Sequence, residues 1–308
     1  MGPTGVGKTA VALELGRSLP IEIVSVDSRQ VYRRMDVGTG KPSVEERRRV
    51  PHHVMDVVEP DEPYHVARFV REAEHAIGQI RGRGRWPVLV GGTGLYYRAL
   101  VRGLAPRPPA DPALRERLRH EAGAAGPAAL HRYLGEVDPA AAARLAANDV
   151  VRVTRALEVA LLSGRPEDPA RTRSWGGSAP RRPMVTVGLT MERGALYARL
   201  DRRVERMLAS GLLAEVGALL DAGFAADLPA MQGIGYRHLA PVLAGRARLG
   251  ETVAEMKRDT RRYAKRQWTW FAREPDVTWL QLDPTGTATA VAGINKLIER
   301  TRLFDYPG

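Results

Sequence analysis

The sequence predicts an α/β protein in which a parallel sheet is flanked by helices and a helical insertion domain interrupts the chain. Three observations carry this expectation. Short β-branched or apolar runs, at Ile21–Val26 and at residues 87–90, alternate with stretches of helical periodicity, the pattern of parallel strands covered on both faces. A glycine-rich segment opens directly into the apolar-periodic stretch 10–19. From Pro106 the composition turns to Pro, Ala and Arg, and strand character returns only at Met184.

Taken in order, residues 10–19 read as a helix and Ile21–Val26 as a strand that ends at Asp27-Ser28. Residues 54–58 and 87–90 read as further strands, the latter stopping at Gly91-Gly92-Thr93-Gly94, with helical patterns between them. Ligands of such sheets bind beyond the carboxyl ends of the strands, which is where Asp27 and Thr93 fall. Ala-rich helices are expected at 112–125, 127–134, 139–147 and 150–162, followed by a looser Pro/Gly/Ser exit at 164–183. Strand 184–189, helices 193–222, 236–244 and 251–273, strand 277–282 and helix 288–302 complete the reading. The expected domains are residues 1–105 and 184–308 as two parts of one core, and 106–183 as the insertion.

The 308 residues are 44% hydrophobic with no apolar run near the length of a bilayer, so a globular protein without a membrane partner is expected. Lys+Arg number 47 against 35 Asp+Glu, a net charge of +12 distributed along the chain, which suits a polyanionic partner. Cysteine is absent. That excludes disulfides, thiolate zinc sites and thiol nucleophiles, and fits a reducing cytoplasm. Neither a signal nor a transit pattern stands at the N-terminus. Only five basic residues are Lys: Lys8, Lys41, Lys257, Lys265 and Lys296.

Gly2-Pro3-Thr4-Gly5-Val6-Gly7-Lys8-Thr9 matches G-x-x-x-x-G-K-[ST], in which backbone N–H groups wrap a diphosphate, the Lys neutralises it and the hydroxyl ligates magnesium. With Lys so rare, a chance match is on the order of one in a hundred. The expected core is thus P-loop NTPase-like, with Thr9 as the protein's metal ligand for Mg2+ and the following helix lending its dipole. Asp27 is the candidate carboxylate facing the phosphates, a strand-terminal Asp being otherwise a cap or turn former. His52, His53, His65 and His75 stand at no metal-ligand spacing and read as structural.

Beyond the loop, V-S-V-D-S-R-Q-V-Y at 24–32, D-V-G-T-G-K-P at 36–42, P-H-H-V-M-D at 51–56, V-G-G-T-G-L-Y at 90–96, V-R-V-T-R-A-L-E at 151–158, M-Q-G-I-G-Y-R at 231–237 and R-R-Y-A-K-R-Q-W-T-W-F at 261–271 resemble the tRNA dimethylallyltransferases. The resemblance implies a monomeric enzyme that transfers a prenyl group from dimethylallyl diphosphate to an adenosine in the anticodon stem-loop of tRNA. It implies Asp27 as general base, Lys8 and Thr9 holding diphosphate and magnesium, Thr93 near the target nucleotide, and Arg203 on the donor diphosphate, with Arg199 one turn away. The implied RNA-contacting set adds Ser28, Arg29, Gln30, Arg115, Arg152, Arg155, Gln232, Gly233, Ile234, Gly235, Tyr236, Arg237, Arg262 and Arg266. Tyr263, Trp270 and Phe271 have the spacing of a buried stripe, so only the charges of that helix are expected on RNA.

Two other readings use the same loop and carboxylate. A small P-loop kinase would phosphorylate a hydroxyl, but gives no reason for the segments at 91–96 and 232–237 or for the basic C-terminal helix. A prenyltransferase acting on free adenine nucleotides would not need the +12 charge or the long helical second half. Finally, a phosphate loop follows a buried parallel strand, so about five apolar residues are expected before Gly2. Only Met1 stands there, which predicts a natural start upstream.

Overall fold

The computed structural model describes residues 1–104, 107–166, 179–283 and 286–301. In chain order these form α1 (Lys8–Leu15), β1 (Ile21–Val26), α2 (Val44–Arg49), β2 (His52–His53), α3 (Val66–Gly82), β3 (Trp86–Gly91) and α4 (Gly94–Arg102). Four helices follow: α5 (Pro112–Ala125), α6 (Pro127–Val137), α7 (Pro139–Ala142) and α8 (Val150–Ser163). The remainder is β4 (Thr186–Thr190), α9 (Arg193–Ala209), α10 (Leu212–Asp221), α11 (Tyr236–Leu243), α12 (Leu249–Phe271), β5 (Val277–Gln281) and α13 (Ala288–Thr301). Two compact units result, Met1–Val101 with Arg182–Gly308, and Arg102–Arg181. The divisions fall at 101/102 and 181/182, against expected boundaries at 105/106 and 183/184. Residues 105, 106 and 167–178, which include one expected boundary and most of the expected exit segment, lie outside the described residues.

In the first unit all strand pairs are parallel. One sheet runs β2-β1-β3 with Ile23 opposite His52 and Val26 opposite Gly91, and a second pairs β4 with β5 from Thr186 opposite Val277 to Thr190 opposite Gln281. Every residue of β1 is buried, as expected of a largely apolar parallel strand covered on both faces. Its two polar residues are partnered: Glu22 by Arg83 and His53, Ser25 by Gln30. Met1 lies along β4, its amine donating to Val187 O at 2.7 Å and its carbonyl accepting from Leu189 N at 2.8 Å. Burial, with Lys8 nearby, pushes that amine down to about 5.

Several elements differ from expectation for local reasons. Residues 54–58 make no strand; Val58 forms a single bridge to Tyr32, while Val54 and Asp56 take φ of 59° and 55°, which no extended run allows. The ladder moves back to His52 and His53. The helix expected over 139–147 stops at Ala142. The one expected over 193–222 breaks at Ser210 and Gly211 into α9 and α10. No described helix is long and apolar enough to cross a membrane.

The second unit has its own core, in which Leu114, Leu118, Leu130, Leu134, Val153 and Leu157 meet. Pro residues open α5, α6 and α7, and Asp111, Asp138 and Asp149 cap α5, α7 and α8 through their carboxylates. The fully buried Glu158 closes this unit, accepting from Asp111 N at 2.7 Å, from Arg115 at 2.9 Å and from Arg155. Burial alone would raise its carboxyl; the hydrogen bonds from the two arginines and the Asp111 amide outweigh that and hold it below the usual range.

Stability drawn from a depressed carboxyl is complete above its unfolded value and is lost as pH falls through its folded one. Glu158→Ala leaves two arginines facing a buried gap and is expected to cost on the order of 3 kcal/mol. Thermal melting of wild type and variant at neutral and acidic pH checks this: the difference should shrink on acidification.

Candidate active site

A glycine-rich loop joins Met1 to α1. Gly2, Gly5 and Gly7 take φ of 145°, 74° and 114°, values open to glycine and strained for other residues, so the backbone can curl tightly in front of the helix. Val6 anchors the loop by burying its side chain completely. Lys8 folds back across the turn and donates to Gly2 O at 2.9 Å and Pro3 O at 2.8 Å. Burial drives its ammonium down to about 8, with Asp27 opposing that shift and Arg203 adding to it. Thr9 sits in the first turn of α1, at the positive end of the helix dipole.

Asp27 and Thr93 emerge side by side from the carboxyl ends of β1 and β3. Asp27 Oδ1 accepts from Arg29 N at 2.8 Å and Gln30 N at 3.3 Å, an Asx-type turn that fixes the carboxylate and leaves the other oxygen available. Thr93 N donates to Val26 O at 3.1 Å, and its Oγ1 accepts from Ser28 N at 3.0 Å. Gln30 bridges Ser25 Oγ to the carbonyls of Thr39 and Gly40. The side chain of Arg29 is spent on Pro229 O and Ala230 O.

A cavity of about 290 Å³ joins these groups, lined by Thr4, Gly5, Gly7, Lys8, Thr9 and Asp27 on one side and by Arg199, Arg203 and Arg206 on the other. The arginines stand at i, i+4 and i+7 on α9, one helical face. Burial lowers Arg199 and Arg203 from the ordinary guanidinium value, and each is lowered further by charge from Arg206. Gly40, at φ 61°, lies flat against Arg203, and a Cβ there would overlap the guanidinium. The Gly40 segment is itself held by Glu215, whose carboxylate accepts from the amides of Asp36, Val37 and Gly38 at 2.9, 2.7 and 3.0 Å and from Tyr236 Oη at 2.6 Å.

The cavity thus brings together Lys8, Thr9, Asp27 and Arg203, with Thr93 adjacent through Ser28. It also uses Arg199 and the 36–42 segment, both singled out in the sequence, and Arg206, which was not. The i, i+4, i+7 spacing of the arginines was the signal available. Other expected residues are placed differently. Tyr236 is 1% exposed and turned onto Glu215, because its ring fills the first unit's core. Burial and the adjacent carboxylate push its phenol up. Arg115 and Arg155 are engaged by Glu158, Arg152 pairs with Asp149, Arg237 with Asp259, and Gln232 donates to Ala226 O. Gly233 and Gly235 pack against Tyr236 and Leu212, and Ile234 between them is half-buried. On α12, Arg261 and Arg262 pair with Asp201 and Asp259, while Lys265 and Arg266 are exposed beside Trp268, itself 49% exposed. Phe271 is buried, but Tyr263 and Trp270 are only half-buried.

A parallel-stranded α/β protein with a glycine-rich loop, and with lysine and arginine side chains gathered beside Asp27 in one cavity, has the chemistry of a class of anion-binding enzymes. Comparison with known proteins narrows it. The family model described as IPP transferase matches residues 30–274, and one described as isopentenyl transferase matches residues 1–53. The chain is 49% identical to a tRNA dimethylallyltransferase of Geobacter metallireducens over 91% of this chain and 90% of that one. It is 47% identical to one of Thermomicrobium roseum over 93% and 86%. Among solved structures it resembles the full-length tRNA isopentenylpyrophosphate transferase of Bacillus halodurans, with TM-score 0.72, 39% identity and 99% and 97% of the two chains covered. It also resembles a eukaryotic dimethylallyltransferase captured in crystallographic snapshots acting on tRNA, with TM-score 0.83, 28% identity and 99% and 79% covered. The chain belongs to the IPP transferase family.

Two outcomes follow from the cavity. Lys8 loses its proton as pH rises through about 8, so affinity for inorganic pyrophosphate should weaken above that pH in wild type and less so in Lys8→Arg, which calorimetry at pH 7, 8 and 9 would read. Gly40→Ala displaces Arg203 and should weaken pyrophosphate binding about tenfold, the loss of roughly 1.4 kcal/mol, with a modest fall in melting temperature because alanine is strained at φ 61°.

Proposed function

We propose that the protein transfers the dimethylallyl group of dimethylallyl diphosphate to the exocyclic amine of an adenosine next to the anticodon of tRNA, releasing diphosphate. The observation that carries this reading is a single cavity in which a carboxylate, Asp27, faces a cluster of cations, Lys8, Arg199, Arg203 and Arg206. The names of the relatives, tRNA dimethylallyltransferase among them, support the donor and acceptor classes. The loop opening into α1 supports a P-loop-like diphosphate site.

An adenine amine is a weak nucleophile because its lone pair is delocalised into the ring, so the leaving group needs the help. The cations and the loop amides stabilise charge growing on the departing diphosphate while the allylic carbon becomes cation-like. Asp27, oriented by the amides of Arg29 and Gln30, takes the amine proton as the new bond forms. Thr93 stands beside Ser28, one residue from that carboxylate, where it can meet the acceptor base. Magnesium fits the donor set: Thr9, in the cavity lining, offers a neutral oxygen of the kind this ion takes beside substrate phosphates and water. Bound there, it would add positive charge to the leaving group.

The base must leave the anticodon loop to reach the cavity, which nucleotide flipping achieves. Lys265, Arg266 and the exposed Trp268 offer phosphate contacts and a stacking platform on α12. A kinase reading shares the loop and Asp27 but not the family. Nucleoside analysis by mass spectrometry, after incubating unmodified tRNA with dimethylallyl diphosphate or with ATP, separates the two: a prenylated adenosine from the first alone supports transfer, and phosphate transfer from ATP alone overturns it.

Asp27→Asn should lower the transfer rate ~100- to 10,000-fold while tRNA affinity stays within a few-fold; near-normal single-turnover rates would remove Asp27 from the role of base. Binding of tRNA should weaken steeply with salt as counterions are released. Because Arg261 and Arg262 are already paired, the double variant Lys265→Gln, Arg266→Gln should flatten the salt slope more than neutralising the paired arginines does.

A further inference from the structure

Gln267, on α12 and 7% exposed, carries a planar amide whose two ends go to different loops. Its Oε1 accepts from Thr4 N at 2.7 Å, in the glycine-rich loop, and its Nε2 donates to Gly92 O at 2.7 Å, in the turn after β3. Gly92 precedes Thr93, and it must be glycine, since a Cβ there would overlap the Gln267 amide. Trp270, one helical turn further along the same helix, covers Gly94 and lies under Arg98, its ring 4.3 Å from the guanidinium carbon. One helix therefore grips both sides of the Thr93 turn, and through one side chain it also grips the loop that faces the arginines.

We infer that Gln267 is a positioning residue for transfer, setting the phosphate-gripping loop in register with the Thr93 turn and so fixing the gap between leaving group and acceptor. This rests on the transfer reading above. The role demands a side chain that accepts at one end and donates at the other from a rigid plane. Among the common side chains the primary amides do so at any ordinary pH, neutral imidazole does so only while unprotonated and on a shorter stem, and Asn is one methylene shorter than Gln. A carboxylate would keep the bond to Thr4 N but set a negative oxygen against the Gly92 carbonyl; protonated, it regains the donor. A group that spans two loops matters more to geometry than to overall stability, because small misplacements of reacting groups cost rate steeply.

The test compares Gln267→Glu and Gln267→Met with wild type in prenylation of tRNA, well below their melting temperatures, from pH 6 to 8.5. Gln267→Met should lose about 10- to 100-fold in kcat, with the deficit independent of pH. Gln267→Glu should show a similar deficit at pH 8.5 that shrinks several-fold towards pH 6, as its carboxyl regains a proton. Where Gln267→Met does not fold, Gln267→Asn, which cannot span both loops, should reproduce the pH-independent loss. Variants within two-fold of wild-type kcat, or a Gln267→Glu deficit constant across pH, would overturn the assignment. Wild-type protein that neither binds pyrophosphate with magnesium nor prenylates tRNA would instead overturn the transfer reading.

Discussion

Five cations, Lys8, Lys41, Arg199, Arg203 and Arg206, line one cavity against two carboxylates, Asp27 and Glu46. In a partly buried site that arrangement is costly, because desolvation and mutual repulsion both act against the charged forms. Burial is the largest influence depressing Lys8, Arg199 and Arg203. The remainder of the first unit can be understood as what holds these groups in place until an anion compensates them. Lys8 borrows the carbonyls of Gly2 and Pro3, and the arginines are spaced along a stiff helix whose apolar face, Leu196, Leu200 and Val204, is buried.

Carboxylates do much of the holding, and they do it away from the cavity's centre. Glu215 gathers three consecutive amides of the 36–38 segment and the Tyr236 hydroxyl, which sets Gly40 against Arg203. Lys41, its side chain 2% exposed, is tied down by Asp36 and Asp56 at 2.7 and 2.5 Å and by Tyr32 O. Glu22, 3% exposed near the start of β1, is held by Arg83 and His53, and the Arg83 hydrogen bond lowers its carboxyl first among several causes. In each case the acid is satisfied by several donors, the condition under which burying a charge does not destabilise the fold.

The balance of aromatic and basic residues on α12 follows the same division. Ala264, Gln267 and Phe271 form its buried stripe, and the opposite face exposes Lys265, Arg266 and Trp268. The buried stripe joins the two loops of the site, and the exposed face is free for a polyanion. A single helix thus has one face that assembles the cavity and another, basic and exposed, that the transfer reading proposed above gives to the tRNA, a separation that a period of 3.6 residues makes possible.

The sequence by itself determined the elements whose signal is local. β1 and the opening of the Ala-rich helices are written in β-branched runs, proline and aspartate, and the glycine-rich loop with Lys8 and Thr9 is a contiguous pattern. Asp27 and Thr93 were legible because parallel sheets put their ligands at strand ends. Tertiary structure alone decided the rest. That Tyr236 turns inward onto Glu215, that Glu158 takes up Arg115, and that Gln267 links Thr4 to Gly92 all depend on residues from 21 to 263 positions apart in the chain. A hydrogen bond between distant segments leaves no periodicity in the sequence, since it is fixed by the packing of whole helices and strands and not by neighbours along the backbone. The strand expected over residues 54–58 failed for the same reason: Asp56 turns to receive Lys41 and Arg47, and those ion pairs accompany a left-handed backbone that local propensity does not favour.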